Sequence, residues 1–278
     1  MTERFPFEGH QIAYEQAGTG DRTVILIHGL TFNRKMHRPL ADALAARGFR
    51  TVTVDLLGHG ESDRPVRSWE YSMSRYGRLL LALIDHLDVP DAVLLGTSLG
   101  ANSSLEAAVK DPAKIRGMVL EMPVLEHSLI AVGGTFLPLF AVLRGGEPIV
   151  RMLGRALRKL PTERRWLTDI LLDTVRQDPR ATSAVLLGLF FGRVAPPRAE
   201  RETIEVPTLV IGHHVDPIHP FSDAGMLAKE LPNGRLLEAS SILELRIAPK
   251  RLTDEIASYL DSLWSNVPTK IGEPQAAD

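Results

Sequence analysis

The chain has 278 residues, a formal net charge of −2, 44% hydrophobic and 24% charged residues, and no cysteine. That composition excludes disulfides, thiolate metal sites and a cysteine nucleophile, and it gives no global field to attract nucleic acid or an anionic membrane. The length suffices for one large α/β domain, or for one domain carrying an inserted subdomain, without covalent staples.

The N-terminus, Met1-Thr2-Glu3-Arg4-Phe5-Pro6, lacks an apolar signal core, so a soluble cytoplasmic protein is expected. Thr23-Val24-Ile25-Leu26-Ile27, closed by His28-Gly29, reads as a buried strand. Met36, Leu40, Ala43, Leu44 and Arg47 follow at helical spacing up to Gly48. Thr51–Val54 is a second strand, and Tyr76, Leu79, Leu80, Leu83, Ile84 and Leu87 mark a second helix. Ala92-Val93-Leu94-Leu95 then runs into Gly96-Thr97-Ser98-Leu99-Gly100, and the residues after it have helical composition. A further strand covers Gly117–Leu120. Strands alternating with helices imply a parallel sheet covered on both faces.

The rhythm stops between Pro123 and Pro207, where no strand pattern occurs. Leu129–Leu143 is strongly apolar, with Phe136 and Phe140, yet it contains Gly133, Gly134 and Pro138 and is short for a membrane span. Ile149 to Leu160 and Trp166 to Val175 each carry one apolar helical face, and Pro179 suits the first position of another helix. Seven basic residues, from Arg144 to Arg165, make this segment cationic. The α/β rhythm returns with strands at Thr208–Ile211 and Arg235–Glu238 and a last helix opened by Pro249. The end of the chain, 266–278, is polar and is expected to be disordered.

Gly-x-Ser-x-Gly at a strand-to-helix turn is a nucleophile elbow: the glycines permit a tight turn and the serine hydroxyl stands out at the strand tip. The Leu99 amide begins a helix, where free N–H groups and the dipole favour negative charge. The turn after His28-Gly29 offers a second donor, the Leu30 amide. Two such N–H groups make an oxyanion hole. A serine hydroxyl also needs an adjacent base.

The chain resembles the α/β-hydrolase superfamily over roughly residues 8 to 264. The resemblance rests on His28-Gly29 after one strand, Asp55-Leu56-Leu57-Gly58-His59-Gly60-Glu61-Ser62 after the next, the elbow at Ser98, and Pro207–Ile211 leading to Asp216-Pro217. It implies a mostly parallel sheet of the eight-stranded type with helices on both faces. The core would comprise residues 1–122 and 207–265, and a helical lid residues 123–206. It further implies Ser98 as nucleophile, Asp216 in the acid position, and His28 and Gly29 shaping an oxyanion loop with donors from Leu30 and Leu99. His59 belongs to a packing loop. In this family the base follows the last strand, where Ser241-Ile242 stands here, so Ile242 would occupy a lost-base position and the relay would lack its histidine. No histidine follows residue 219.

Glu121, at the end of the strand after the elbow helix, is a candidate substitute: an apolar pocket raises a carboxyl pKa and suits it to proton transfer. A bland reading, a carboxylate paired with a nearby arginine, stands beside it. His127 reads as an exposed loop histidine. His213, His214, Asp216 and His219 match no zinc spacing, and no metal or cofactor is expected. The resulting expectation is a hydrolase of a carboxylic ester or lactone of an apolar small molecule, with an incomplete triad. A lyase, isomerase or cyclase, or a small-molecule-binding pseudoenzyme, is the alternative. Neither nucleic acid nor stable membrane insertion is expected, and the oligomeric state is left open.

Overall fold

The computed structural model describes residues 1–157 and 166–265. In chain order the first half runs β1 (Glu3–Phe7), β2 (His10–Ala17), β3 (Thr23–Ile27), α1 (Arg38–Ala45), β4 (Arg50–Val54), α2 (Met73–His86), β5 (Ala92–Thr97), α3 (Leu99–Lys110) and β6 (Ile115–Glu121). Helices α4 (Leu129–Gly145), α5 (Glu147–Leu157), α6 (Trp166–Val175), α7 (Pro179–Phe190) and α8 (Arg198–Arg201) follow. The chain closes with β7 (Thr208–His213), α9 (Phe221–Glu230), β8 (Gly234–Ala239), α10 (Glu244–Ile247) and α11 (Lys250–Trp264). The expected tail at 266–278, and the basic residues Arg158, Lys159, Arg164 and Arg165, lie outside the described residues.

The strands form one eight-stranded sheet in the order β1-β2-β4-β3-β5-β6-β7-β8. β2 runs antiparallel to β1 and β4, and all later pairings are parallel. β3 and β5 are fully buried apolar strands, as the run lengths predict. Their alternate side chains divide between two cores. Val24, Leu26, Val93 and Leu95 pack with α1 and α11, whereas Ile25, Ile27 and Leu94 pack with α2 and α3. The β1–β2 hairpin is absent from the sequence reading, because its strands are neither apolar runs nor joined by an Asn-Gly or Asp-Gly turn. Glu8 and Gly9 turn it with positive φ, 45° and 85°.

The order of strands reverses between β3 and β5: the chain passes from β3 outward to β4, then returns to the other side of β3 as β5. The carboxyl ends of these two strands therefore flank a crevice of the kind where open α/β sheets bind ligands. Helices α4 to α8 are inserted at that same end, between β6 and β7, with no strand among the described residues. Asn102 and Asp223 are among the buried side chains that hold the insertion. Asn102 of α3 donates through Nδ2 to the carbonyls of Val124 and Val194, both at 2.8 Å, and accepts from the Val124 amide. Asp223 of α9 accepts from the amides of Leu125, His127 and Ser128.

The apolar run is longer than its glycines and proline suggest. With the turn before it, Glu126–Gly145 is a continuous helical segment, long and apolar enough by length and composition alone to cross a membrane.

Candidate active site

Ser98 stands between β5 and α3 at φ 53° and ψ −108°, a left-handed conformation that a non-glycine residue adopts at a cost. Its surroundings hold it there. The Ser98 amide donates to the Glu121 carbonyl at 2.8 Å, and its own carbonyl accepts from Asn102 as α3 begins. The flanking glycines are required by space. A Cβ on Gly96 would meet the Gly100 backbone at 2.3 Å, and one on Gly100 would meet the Ile27 carbonyl oxygen at 2.3 Å. The elbow that the sequence predicts is present, with α3 packed tightly over β3 and β5.

The Ser98 hydroxyl meets a histidine. His219 Nε2 lies 3.0 Å from Ser98 Oγ, and His219 Nδ1 lies 2.9 Å from Asp216 Oδ2. This corrects the expectation that the relay lacks an imidazole. The histidine comes from the same loop as the carboxylate, three positions along the chain, instead of from the segment after β8. Local chemistry explains the geometry. Asp216 Oδ1 accepts the amides of Ile218 (2.8 Å) and His219 (2.9 Å), an Asx-type turn that folds the chain back over its own carboxylate. Pro217 and Pro220 restrict φ on either side. Burial works to raise the Asp216 pKa, but the hydrogen bonds from the His219 ring and from the loop amides outweigh it, so the carboxyl is held below its ordinary value.

Ile242 occupies no place in this cluster. It lies half-buried on the turn before α10 and is not among the residues that line the cavity over Ser98. Its neighbourhood delivers Arg246, and that residue overturns the second expectation. Glu121 is fully buried, accepts from Arg246 (2.7 Å) and from the Thr97 hydroxyl (2.6 Å), and lies 3.7 Å from His213. Burial pushes its pKa up, yet the Arg246 guanidinium dominates and holds the carboxyl far below the usual carboxylate range. Glu121 is therefore an ionised structural partner. Its side chain pairs with Thr97 and Arg246, and it is not among the residues that line the cavity over Ser98. The bland alternative, pairing with an arginine, is the one observed.

His28 is fully buried: Nε2 accepts from the Leu56 amide at 3.1 Å, leaving Nδ1 to donate to the Gly29 carbonyl at 2.8 Å. Burial lowers its pKa, so a neutral ring braces the loop after β3 against the loop after β4. His59 tilts against it, 4.8 Å between ring centres. The three histidines around Asp216 diverge. His213 turns into the core, His214 outward to Glu238 at 3.1 Å, and His219 to Ser98. His127 is 54% exposed and bonded to Asp223 at 2.8 Å.

A cavity of about 60 Å³ covers the hydroxyl. Its floor is Leu30, Ser98, Leu99 and His219, and its walls include Met73, Val124 and Ile218. Val132 and Phe136 of α4 and Leu186, Leu189 and Phe190 of α7 close it from above. Leu99 is the first residue of α3, so its amide has no partner within the helix. Asn102 is the lining residue that carries a side-chain amide, and that amide is engaged with the insertion.

These features define an α/β-hydrolase-fold protein, and comparison with known proteins agrees. Residues 22–141 match the family described as alpha/beta hydrolase fold. An uncharacterized protein of Mycobacterium tuberculosis is 25% identical over 291 aligned positions, covering 91% of this chain and 79% of that one. The 2-hydroxy-6-oxononadienedioate/2-hydroxy-6-oxononatrienedioate hydrolase of Cupriavidus pinatubonensis is 27% identical, covering 81% of each chain. The crystal structure of an enol-lactonase from Burkholderia xenovorans superposes with a TM-score of 0.76 at 21% identity, over 93% of this chain and 100% of that one.

Proposed function

We propose that the chain is a serine hydrolase of carboxylic esters or lactones of apolar small molecules, working through a complete Ser98–His219–Asp216 relay. The single observation that carries this reading is the 3.0 Å contact between Ser98 Oγ and His219 Nε2, with the other ring nitrogen on Asp216. Ser98 Oγ attacks the carbonyl carbon while His219 Nε2 takes its proton. Asp216 keeps the imidazole oriented and stabilises its charged form. The amides of Leu30 and Leu99 receive the developing oxyanion, each such donor lowering the barrier by about 3 kcal/mol. His219 then returns its proton to the leaving alkoxide. A water, deprotonated by the same nitrogen, cleaves the acyl-serine.

The lining favours an apolar acyl or lactone group. It contains no arginine or lysine to receive the two carboxylates named in the Cupriavidus relative's substrate. At about 60 Å³ the cavity admits a short acyl chain as it stands, since typical ligand sites begin near ~300 Å³. Longer chains require displacement of Phe136 or Phe190, so the lid role of α4 and α7 belongs to the same reading.

A fluorophosphonate probe tests it. Ser98 is expected to label rapidly and stoichiometrically, as read by peptide mass spectrometry. Labelling should disappear in Ser98→Ala and slow sharply in His219→Gln. A folded wild-type chain that fails to label at Ser98 would overturn the proposal. With p-nitrophenyl esters, kcat/KM is expected to fall as the acyl chain lengthens beyond the cavity.

A further inference from the structure

The outer face of the insertion is apolar and uncovered. α4 carries a single charged residue, Arg144, near its end. Its inner side is accounted for: Val132 and Phe136 face the Ser98 cavity, and Leu143 is buried. The opposite side stands in solvent, with Ile130 90%, Leu137 56% and Val142 59% exposed. Gly134, Pro138 and Ala141 fill the positions between them, so the spacing of three and four residues makes one unbroken stripe. The next helix also exposes large apolar side chains, Ile149 (62%), Met152 (61%) and Leu153 (51%). Scattered single apolar side chains are ordinary on a surface, but an unbroken apolar stripe along one helix marks an interaction site.

Charge identifies the occupant. Arg144 at the end of α4 and Arg155 on α5 are exposed, and Arg155 also lines, with Arg151, Arg180 and Asp178, a cleft of about 230 Å³ where α5 meets the start of α7. Glu147, the acidic residue of α4 and α5, is already paired with Arg151 and Arg180. We propose that this face docks on an anionic phospholipid surface, with the α4 stripe at the level of the acyl chains and the arginines among the phosphates. A second copy of the chain fits less well, because face-to-face contact would bring the arginine rims together with no free carboxylate on the same helices to meet them.

The helix lies along the surface and does not cross it. Its start is tied through Leu125, His127 and Ser128 to Asp223 of α9, and its end turns at Gly146 directly into α5. Both ends are thus joined to the rest of the protein, and Val132 and Phe136 of α4 line the cavity. Docking would set that cavity, through Val132 and Phe136, one helix thickness from the lipid. The proposal does not depend on the chemistry of Ser98.

Co-sedimentation of the full chain with vesicles tests it without turnover, using phosphatidylcholine alone and phosphatidylcholine mixed with phosphatidylglycerol. The expected result is binding to the mixed vesicles that weakens as salt is raised. Ile130→Ser/Leu137→Ser should lower the partition coefficient about tenfold. Arg144→Gln/Arg155→Gln should erase the preference for the anionic vesicles. The substituted side chains are exposed, so far-UV circular dichroism should be unchanged; Ile149→Ser/Met152→Ser serves as an independent pair should the first perturb the fold. No binding to either vesicle, or equal binding by both serine variants, overturns the proposal. So does a dimer in sedimentation equilibrium that the serine variants convert to monomer, which would assign the face to a second copy.

Discussion

Two carboxylate–imidazole pairs lie close together in this chain. His219 and Asp216 meet at 2.9 Å, and His127 and Asp223 meet at 2.8 Å. Both carboxyl groups also accept backbone amides. The pairs differ in what lies beyond the ring. The His219 side chain is 14% exposed and its far nitrogen touches the Ser98 hydroxyl, whereas the His127 side chain is 54% exposed. An acid–imidazole contact by itself is an ordinary hydrogen bond. A held nucleophile on the other nitrogen is what turns it into a proton relay. In the second pair the carboxylate is the functional member, because Asp223 gathers the chain at the start of α4.

The largest effects should fall on the first pair. Ser98→Ala and His219→Gln are each expected to lower ester kcat about 10⁴-fold or more, with the double variant no worse than either, because groups acting as one unit are not additive. Additive losses would break the relay reading. Asp216→Asn should follow at about 10³–10⁴-fold, through loss of the imidazole's orientation. The second pair should respond in stability instead. Asp223→Ala leaves buried amides without an acceptor and should cost about 3 kcal/mol in urea unfolding. Per folded molecule, labelling of Ser98 should survive.

Imidazoles without a carboxylate bond sharpen the contrast through pH. His28, His37 and His59 are buried, each bonded to a backbone carbonyl, and burial depresses all three pKa values, that of His37 to about 3. Between the unfolded value near ~6.5 and these lowered values, the unfolded chain binds protons that the folded chain refuses. Stability is therefore fully present above about pH 6.5 and declines as pH falls, by up to about 1.4 kcal/mol per pH unit for each ring. Urea midpoints measured from pH 7 to 4 should show this decline, and His37→Gln should flatten it. The smallest effects belong to His127→Ala, expected to change stability by less than about 1 kcal/mol and kcat/KM within twofold. Ile242→His should likewise leave ester turnover unchanged, since the base position at Ser98 is filled. A rise would mean that His219 does not serve there.

The fold was legible because its central strands are local apolar runs and its helices are periodic. Ser98 was legible because two glycines bracket it at a strand tip, and Asp216 because it follows the β7 strand. His219 was not legible as Ser98's partner because the family resemblance places the base after the last strand. The signal was nevertheless local: Asp-Pro-x-His-Pro, in which an Asx turn brings the ring back over the carboxylate. Glu121 was misjudged for the opposite reason. Its partner, Arg246, lies far along the chain, and no local pattern reports that a guanidinium will reach it. The β1–β2 hairpin stayed unread because its polar strands gain their order from pairing with β4 at the sheet edge.

In the proposed relay, acid and base share one proline-bounded loop, which divides the labour of the C-terminal third. Asp216 and His219 stand three positions apart, and the bonds between them are made within the loop itself. In the proposed relay the stretch after β8 takes no part in proton transfer, and it delivers Arg246 to the Glu121 carboxylate. Length changes in the connection from β8 to α11 should therefore register as altered stability, with the spacing between ring and carboxylate left as it was.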